Sequence, residues 1–278
     1  MSDFGVFFTC YTEGKAIEYS LEKLYSIYPE CPVYLVSDGG NDFSYLEKKH
    51  PFLKTTIEDD ARGWCQKPGM AEYLINEISP KGSPCIDQKE KEYFDKLYHT
   101  GMSWLDRNKA AVEYAQKPYM LMMETDVLVR GKLTMPTDHK LICEPVNYCT
   151  SWPKWSTTPN WNDVFKKVSG ASAVEVDNYG WPYIYESEAF NNVHKFIKEN
   201  DDVFRDLVSS HWTVGAAGDV TIPVCFGLLG YEQGNNPESI QCLHHAQWRS
   251  SSHPLIHQFR DYYPTKDDNY DGRHSSEG

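Results

Sequence analysis

The sequence predicts an α/β fold, in which a mixed, mainly parallel sheet is flanked by helices within a single compound domain. Within the first sixty residues, an apolar run, an amphipathic helical stretch and a second apolar run follow one another. This is the order of a parallel βαβ unit. A second helical pattern leads directly into the apolar run Tyr119–Met123. Because no repeat or obvious linker interrupts the chain, we expect one domain over residues 1–264. The end of the chain is polar and charged, so we expect a mobile tail over residues 265–278.

The βαβ unit begins with Val6–Cys10, a mostly apolar run that suits a buried strand. Residues 13–28 place apolar side chains at helical spacing, and two prolines then end the helix. The second strand, Val33–Val36, runs into the turn-rich segment Ser37-Asp38-Gly39-Gly40. Such a segment lies at the carboxyl edge of a parallel sheet, where α/β proteins bind their ligands.

The elements that follow are predicted from the same kinds of pattern. They are a helix over residues 89–98, a helix from Trp104 to Ala115 stopped by Lys117-Pro118, a strand over Tyr119–Met123, a strand over Leu141–Cys143, a helix over residues 189–199 and an apolar segment over residues 219–229.

The composition excludes several classes of partner. The 278 residues include 27 Lys+Arg and 40 Asp+Glu, a formal net charge of −13. This charge disfavours nucleic acid and anionic membranes, which both attract a basic face. No apolar run approaches the roughly 20 residues of a spanning helix, and the acidic start lacks a signal-peptide charge pattern.

The eight cysteines contain no C-x-x-C pair, and several lie inside apolar runs. We therefore expect free, buried thiols rather than a zinc site or a redox motif. The chain also has no N-x-S/T glycosylation acceptor. Together these features predict a soluble, cytoplasmic protein.

The segment Glu124-Thr125-Asp126 comes directly after the strand Tyr119–Met123. A carboxylate at the end of a buried strand is partly desolvated, which is costly unless a positive group meets it. In an extended conformation, Glu124 and Asp126 point to the same side. A hard divalent cation, Mn²⁺ or Mg²⁺, would neutralise this charge and also bind a diphosphate. The alternative is a solvated turn with a capping carboxylate.

The order of these elements resembles that of GT-A-fold glycosyltransferases that use nucleotide-sugar donors. The resemblance rests on Val6–Cys10, Val33–Gly40, Trp104–Ala115 and Tyr119–Val127, and it covers the first half of the chain. It implies a nucleotide-sugar-binding half over residues 1–130 and an acceptor-binding half over residues 131–264. In length and composition the chain is also similar to soluble glycosyltransferases of large DNA viruses, which decorate capsid glycans.

The resemblance implies roles for particular residues around the donor. Asp126 would bind the metal, and Glu124 would be either a second ligand or a contact to the ribose. A histidine near the C-terminus would join the metal, for which the candidates are His244 and, next to it, His245. Further donor contacts implied by the resemblance are Thr9, Cys10 and Tyr11 around the base and ribose, Asp38 on the base, and either Arg107 or Lys109 on the diphosphate.

An inverting transfer, which we favour, needs a carboxylate base near the acceptor hydroxyl. The resemblance points to Asp219, which also suits a helix N-cap, and the rival candidates are Glu186 and Glu188. A retaining enzyme would need no such base.

The aromatic residues between positions 148 and 185 lie among Pro, Ser, Thr and Asn. Aromatic rings bind the apolar faces of sugars, so these side chains predict an acceptor site. The alternative is the packing of a small aromatic subdomain. The candidate acceptor residues are Trp152, Trp155, Trp181 and Tyr183.

The function predicted from these features is sugar transfer from a nucleotide-sugar to a glycan hydroxyl, assisted by Mn²⁺ or Mg²⁺. UDP is the expected nucleotide, with xylose or a hexose as the sugar. One alternative is a sugar nucleotidyltransferase, although the segment after the first strand is poor in glycine and basic residues. A non-catalytic glycan-binding protein is the other alternative.

Overall fold

The computed structural model of the protein describes residues 2–10, 14–38, 40–58, 88–144, 180–209, 222–223, 225–241 and 250–257. The strands are β1 (Phe4–Cys10), β2 (Val33–Asp38), β3 (Leu53–Glu58), β4 (Tyr119–Met123), β5 (Val127–Val129), β6 (Leu141–Glu144), β7 (Gly180–Glu186), β8 (Gln233–Asn235), β9 (Ser239–Gln241) and β10 (Leu255–His257). The helices are α1 (Gly14–Ile27), α2 (Gln88–Ala115), α3 (Ser187–Glu199) and α4 (Asp201–Ser209), with a 3₁₀ turn at Ser44–Lys48.

Seven strands form one sheet in the order β3-β2-β1-β4-β7-β6-β8. Neighbouring strands are parallel except that β7 is antiparallel to both β4 and β6. The other six strands therefore run in one direction, and their carboxyl ends meet at one side of the sheet, which we call the carboxyl edge. The predicted mixed, mainly parallel sheet flanked by helices is confirmed.

A second, three-stranded sheet has the order β5-β10-β9. Strand β5 begins only a short turn after β4, and β10 pairs with it in the antiparallel direction. This small sheet therefore brings a segment from late in the chain beside the carboxyl end of β4.

The large sheet buries both of its faces, because successive side chains of a strand point to opposite sides. One face packs against α2, α3 and α4, and includes Phe7, Val36, Met120, Met122 and Tyr185. The other face packs against α1 and the small sheet, and includes Val6, Phe8, Leu35, Leu121 and Met123. This double burial explains why the strands appear in the sequence as nearly continuous apolar runs.

The helix α2 differs from the sequence prediction of two separate helices, since it is continuous over 28 residues. Gly101 lies inside this helix and is buried. A single glycine costs a helix only about 1 kcal/mol relative to alanine, and close packing can offset that cost. No proline interrupts residues 88–115.

Four cysteines lie within the described residues, and all four are free and buried: Cys10, Cys31, Cys143 and Cys225. Burial raises the pKa of Cys31 to about 12. The prediction of buried thiols is therefore confirmed for these positions. The remaining cysteines, at positions 65, 85, 149 and 242, lie outside the described residues.

No helix in the described part of the chain is both long and apolar enough to cross a bilayer.

Candidate functional site at the carboxyl edge of the sheet

Polar side chains lie at the carboxyl ends of the neighbouring parallel strands β1, β2 and β3 and in the turn after β4. Thr9 lies near the end of β1, Ser37 and Asp38 end β2, Glu58 ends β3, and Asp126 follows β4. The pairing of these strands brings residues that are distant in sequence to the carboxyl edge. This edge is the place where open α/β sheets bind ligands.

Arg107 joins the carboxyl ends of β2 and β3. Asp38 and Glu58 are register partners on these strands, so two like charges lie side by side. The guanidinium of Arg107 reaches both from α2, with Nη1 2.8 Å from Asp38 Oδ1 and Nε 2.6 Å from Glu58 Oε2. The side chains of Asp38 and Arg107 are 0% and 2% exposed. One buried cation therefore neutralises one of two adjacent carboxylates.

The two candidates for contacting the diphosphate, Lys109 and Arg107, lie in different surroundings. Lys109 lies between helices, with its Nζ 3.0 Å from Asn191 Oδ1 of α3 and 3.1 Å from Glu113 Oε1. Arg107 lies at the carboxyl edge, but its Nε and Nη1 atoms both donate to carboxylates. We predicted that Asp38 contacts a base and that Arg107 contacts a phosphate. In the structure these two side chains bind one another.

The segment Glu124-Thr125-Asp126 forms a turn rather than an extension of β4. Its backbone is closed by the amide of Val127, which donates to the carbonyl oxygen of Glu124 over 3.0 Å. The strand-like alternation that we expected for Glu124 and Asp126 therefore does not apply. The Asp126 side chain is only 14% exposed, which distinguishes it from a solvated capping carboxylate.

Among the described residues, the histidine that lies beside Asp126 is His257. This residue ends β10, opposite Val127 of β5, and its Nε2 is 3.8 Å from Asp126 Oδ1. The expected candidates His244 and His245 lie outside the described residues. The sequence carried a signal for His257, because Leu255-Ile256 is an apolar pair directly before it, just as Met122-Met123 precedes Glu124.

The distance between Asp126 and His257 is too long for a hydrogen bond. It is short enough for one cation to contact both atoms, since metal–ligand bonds of about 2.1 Å can together span about 4 Å. A carboxylate with an imidazole suits a first-row ion such as Mn²⁺ better than Mg²⁺, which prefers oxygen ligands. No group of three or more metal-binding side chains occurs among the described residues. Asp126 and His257 could together supply two ligands.

Four side-chain oxygen atoms of β1, β2 and the turn after β4 are buried and make no hydrogen bond within the described residues. They are Thr9 Oγ1, Ser37 Oγ, Asp38 Oδ2 and Asp126 Oδ1. Buried polar atoms in native proteins are nearly always satisfied, and a bound ligand or ion is one way to satisfy them. Their concentration at one edge is what a polar ligand-binding site requires.

Glu186, the rival candidate for the catalytic base, lies at the end of the sheet opposite the carboxyl edge. It is the register partner of Tyr119, the first residue of β4, so it lies about 13 Å along the strand from Met123. Its carboxylate accepts from Lys140 over 2.7 Å, and Glu188 lies in the first turn of α3 beside it. Neither acidic residue is positioned to act at the carboxyl edge.

The aromatic candidates are only partly described. Tyr183 is 0% exposed and belongs to the core between the sheet and helices α2–α4. The prediction that its ring contacts an acceptor sugar is therefore not supported, because the ring packs among the apolar side chains of this core. Trp181 lies on β7, and its side chain is outside the described part of the chain, as are Trp152, Trp155, Tyr11 and Asp219.

Comparisons with known proteins identify no family for this chain. No family model matches it, and no curated protein matches it. Among solved structures, it is similar to the galactosyltransferase LgtC in complex with donor and acceptor sugar analogues, at 11% identity and a TM-score of 0.41. The match covers 91% of this chain and 86% of that chain, and an active-site mutant of LgtC gives the same values. At this identity and TM-score, function has to be inferred from the residues at the carboxyl edge.

Proposed function

We propose that the protein is a glycosyltransferase of GT-A-like fold that moves a sugar from a nucleotide-sugar to a glycan hydroxyl with the help of a divalent metal. The observation that carries this proposal is the row of buried, unsatisfied polar atoms along the carboxyl edge, from Asp38 on β2 to Asp126 after β4. Thr9, on the strand between them, contributes a hydroxyl to the same row.

The dimensions of this row suit an extended ligand. Strands β2 and β4 are separated by two strand spacings, or about 10 Å, with β1 between them. A nucleoside at the β2 end and a diphosphate at the β4 end would therefore occupy one continuous site.

The charges of the two ends favour this orientation. Asp38, Glu58 and Arg107 together carry more negative than positive charge, so this end attracts hydrogen-bond donors such as the N–H of a base or the O–H of a ribose. A diphosphate would be repelled there. At the other end, Asp126 and His257 fit Mn²⁺, which when bound would neutralise the diphosphate and stabilise the charge that develops as the sugar–phosphate bond breaks.

The chemistry requires the acceptor hydroxyl to attack the anomeric carbon while the bond from that carbon to the diphosphate oxygen breaks. In the inverting mechanism that we favour, Asp219 takes the hydroxyl proton, and the electron pair leaves with the nucleoside diphosphate. In a retaining enzyme, Asp219 would have no such role. We place the acceptor against Trp152, Trp155 and Trp181, with the donor contacts Cys10, Tyr11 and Glu124 as the sequence resemblance implies.

We further propose a UDP-linked donor that carries xylose or a hexose, and a cytoplasmic site of action. The similarity in length and composition to soluble glycosyltransferases of large DNA viruses suggests a capsid glycan as the acceptor.

The experiment measures turnover of UDP-xylose and UDP-hexoses in the presence of Mn²⁺, with and without a chelator, for the wild type and Asp126→Ala. We expect turnover to fall by at least about 100-fold in both cases, because electrostatic stabilisation of the leaving group is lost. The matched control is Asp138→Ala, which removes an exposed carboxylate from the connection before β6.

A second readout uses metal binding rather than turnover. Titration of Mn²⁺ followed by electron paramagnetic resonance should show weaker binding in Asp126→Ala and in His257→Ala than in the wild type. Undiminished turnover and unchanged Mn²⁺ affinity in these variants would reject the metal-dependent mechanism.

A further inference from the structure

We propose that Glu58 is a positioning residue that keeps one oxygen of Asp38 available to the donor nucleotide. The inference rests on the proposed function and concerns the β2 end of the carboxyl edge. Glu58 itself need not touch the nucleotide, because it acts through Arg107.

The geometry divides the guanidinium of Arg107 between two carboxylates. Its Nε donates to Glu58 Oε2 over 2.6 Å, and its Nη1 donates to Asp38 Oδ1 over 2.8 Å. Asp38 Oδ2 is buried and makes no hydrogen bond to any described residue. Arg107 therefore binds Oδ1 of Asp38 and makes no hydrogen bond to Oδ2.

An arginine that meets a single carboxylate prefers a different arrangement. Two parallel N–H···O bonds from one guanidinium to both carboxylate oxygens are stronger and more directional than one bond. Without Glu58 to hold Nε, Arg107 could turn and bind both oxygens of Asp38. Such a bidentate pair would satisfy Oδ2 internally and remove it from the ligand.

The chemistry of the freed oxygen defines the group that it would bind. A carboxylate oxygen only accepts hydrogen bonds, so its partner is an N–H of the base or an O–H of the ribose. Because Asp38 is 0% exposed, this hydrogen bond would form out of water, where charge-assisted bonds are strong. Glu58 is 36% exposed, so it can be changed without opening a cavity in the core.

The test compares UDP binding, in the presence of Mn²⁺, among the wild type, Glu58→Ala and Glu58→Gln by calorimetry. Loss of a charge-assisted hydrogen bond predicts that Glu58→Ala weakens UDP affinity by about 10-fold to about 100-fold. Glu58→Gln keeps an oxygen for Nε and should remain within about threefold of the wild type. Affinity for inorganic pyrophosphate with Mn²⁺, which probes only the β4 end, should be the same in all three proteins.

Thermal unfolding separates positioning from structural support. We expect Glu58→Ala to keep the Tm of the wild type, because the bidentate pair replaces the lost contact. The matched control is Glu113→Ala, which removes the exposed partner of Lys109 on α2 and should change neither UDP affinity nor Tm.

Two results would overturn the inference. One is UDP affinity in Glu58→Ala equal to that of the wild type, and the other is a loss of affinity matched by a fall in Tm. Both leave the proposed function standing as long as the wild type binds UDP with Mn²⁺. If the wild type binds neither UDP nor pyrophosphate with Mn²⁺, the proposed function itself fails.

Discussion

Arg107 is the residue on which the charge balance of the carboxyl edge depends. It is 2% exposed and lies between two carboxylates that are register partners on adjacent strands. Its removal would leave Asp38 buried without a countercharge and next to Glu58. The cost therefore combines an unpaired buried charge with like-charge repulsion.

We predict that Arg107→Met lowers the free energy of unfolding by about 3–5 kcal/mol, the usual cost of removing one partner from a buried ion pair. Urea denaturation measures this change. The double variant Asp38→Asn/Arg107→Met should lose less than the sum of the two single variants, because the uncompensated charge is gone. Additive losses would mean that the two side chains do not interact as the geometry indicates.

At the scale of elements, the packing of α2 against α3 includes a cluster of charges at its exposed margin. Asp106 of α2 accepts from His194 Nε2 over 2.8 Å and from Lys198 Nζ over 2.9 Å, both on α3. Partial burial raises the pKa of Asp106, but the hydrogen bonds from Lys198 and His194 outweigh burial and hold the pKa below its ordinary value of 3.8. The charged form of Asp106 therefore stabilises the folded state.

We predict that Asp106→Asn lowers the free energy of unfolding at pH 7 by less than about 1 kcal/mol, since the Asp106 side chain is half exposed and solvent screens its charge. A depressed pKa contributes stability above the ordinary value, and this contribution disappears as pH falls through the folded-state value. The wild type and the variant should therefore differ at pH 7 and converge below about pH 3.8. Urea denaturation across this pH range measures the gap, and a gap independent of pH would contradict the assignment.

At the scale of the whole molecule, one nucleotide-sugar donor would contact both the β2 end and the β4 end of the carboxyl edge. Different parts of the chain form these two ends. The β2 end uses α2 and β3, whereas the β4 end uses β10. A ligand that spans both ends couples them, so a nucleotide diphosphate and the metal should each strengthen the binding of the other.

We predict that UDP and Mn²⁺ together raise the Tm by more than the sum of the shifts that each produces alone. At a UDP concentration about 100 times its dissociation constant, the added stability should be about 2.7 kcal/mol. Differential scanning calorimetry with uridine in place of UDP provides the control, because uridine lacks the diphosphate and should show no coupling to Mn²⁺. Simply additive shifts for UDP and Mn²⁺ would indicate two independent sites.

The local elements around this site could be predicted from the sequence because their signals come from near neighbours. The strands β1, β2 and β4 are nearly continuous apolar runs, and the apolar stripe of α1 has helical spacing. The strands β5, β8, β9 and β10 have three residues each, too few to show a period, and the sequence does not predict them. It also does not predict the longer strands β3 and β7. The acidic segment at residues 124–126 could be located because a single residue separates its two carboxylates, although the sequence predicts an extended conformation where the structure has a turn.

By itself, the sequence determined the α/β class and the position of the acidic segment after a central strand. Only the tertiary structure decided that Arg107 binds Asp38, 69 residues away, that His257 lies beside Asp126, and that Glu186 lies at the opposite side of the sheet. The physical reason is that helix and strand periods depend on neighbouring residues. The edge that a side chain reaches and the partner that it meets depend instead on strand direction and register, which long-range pairing sets.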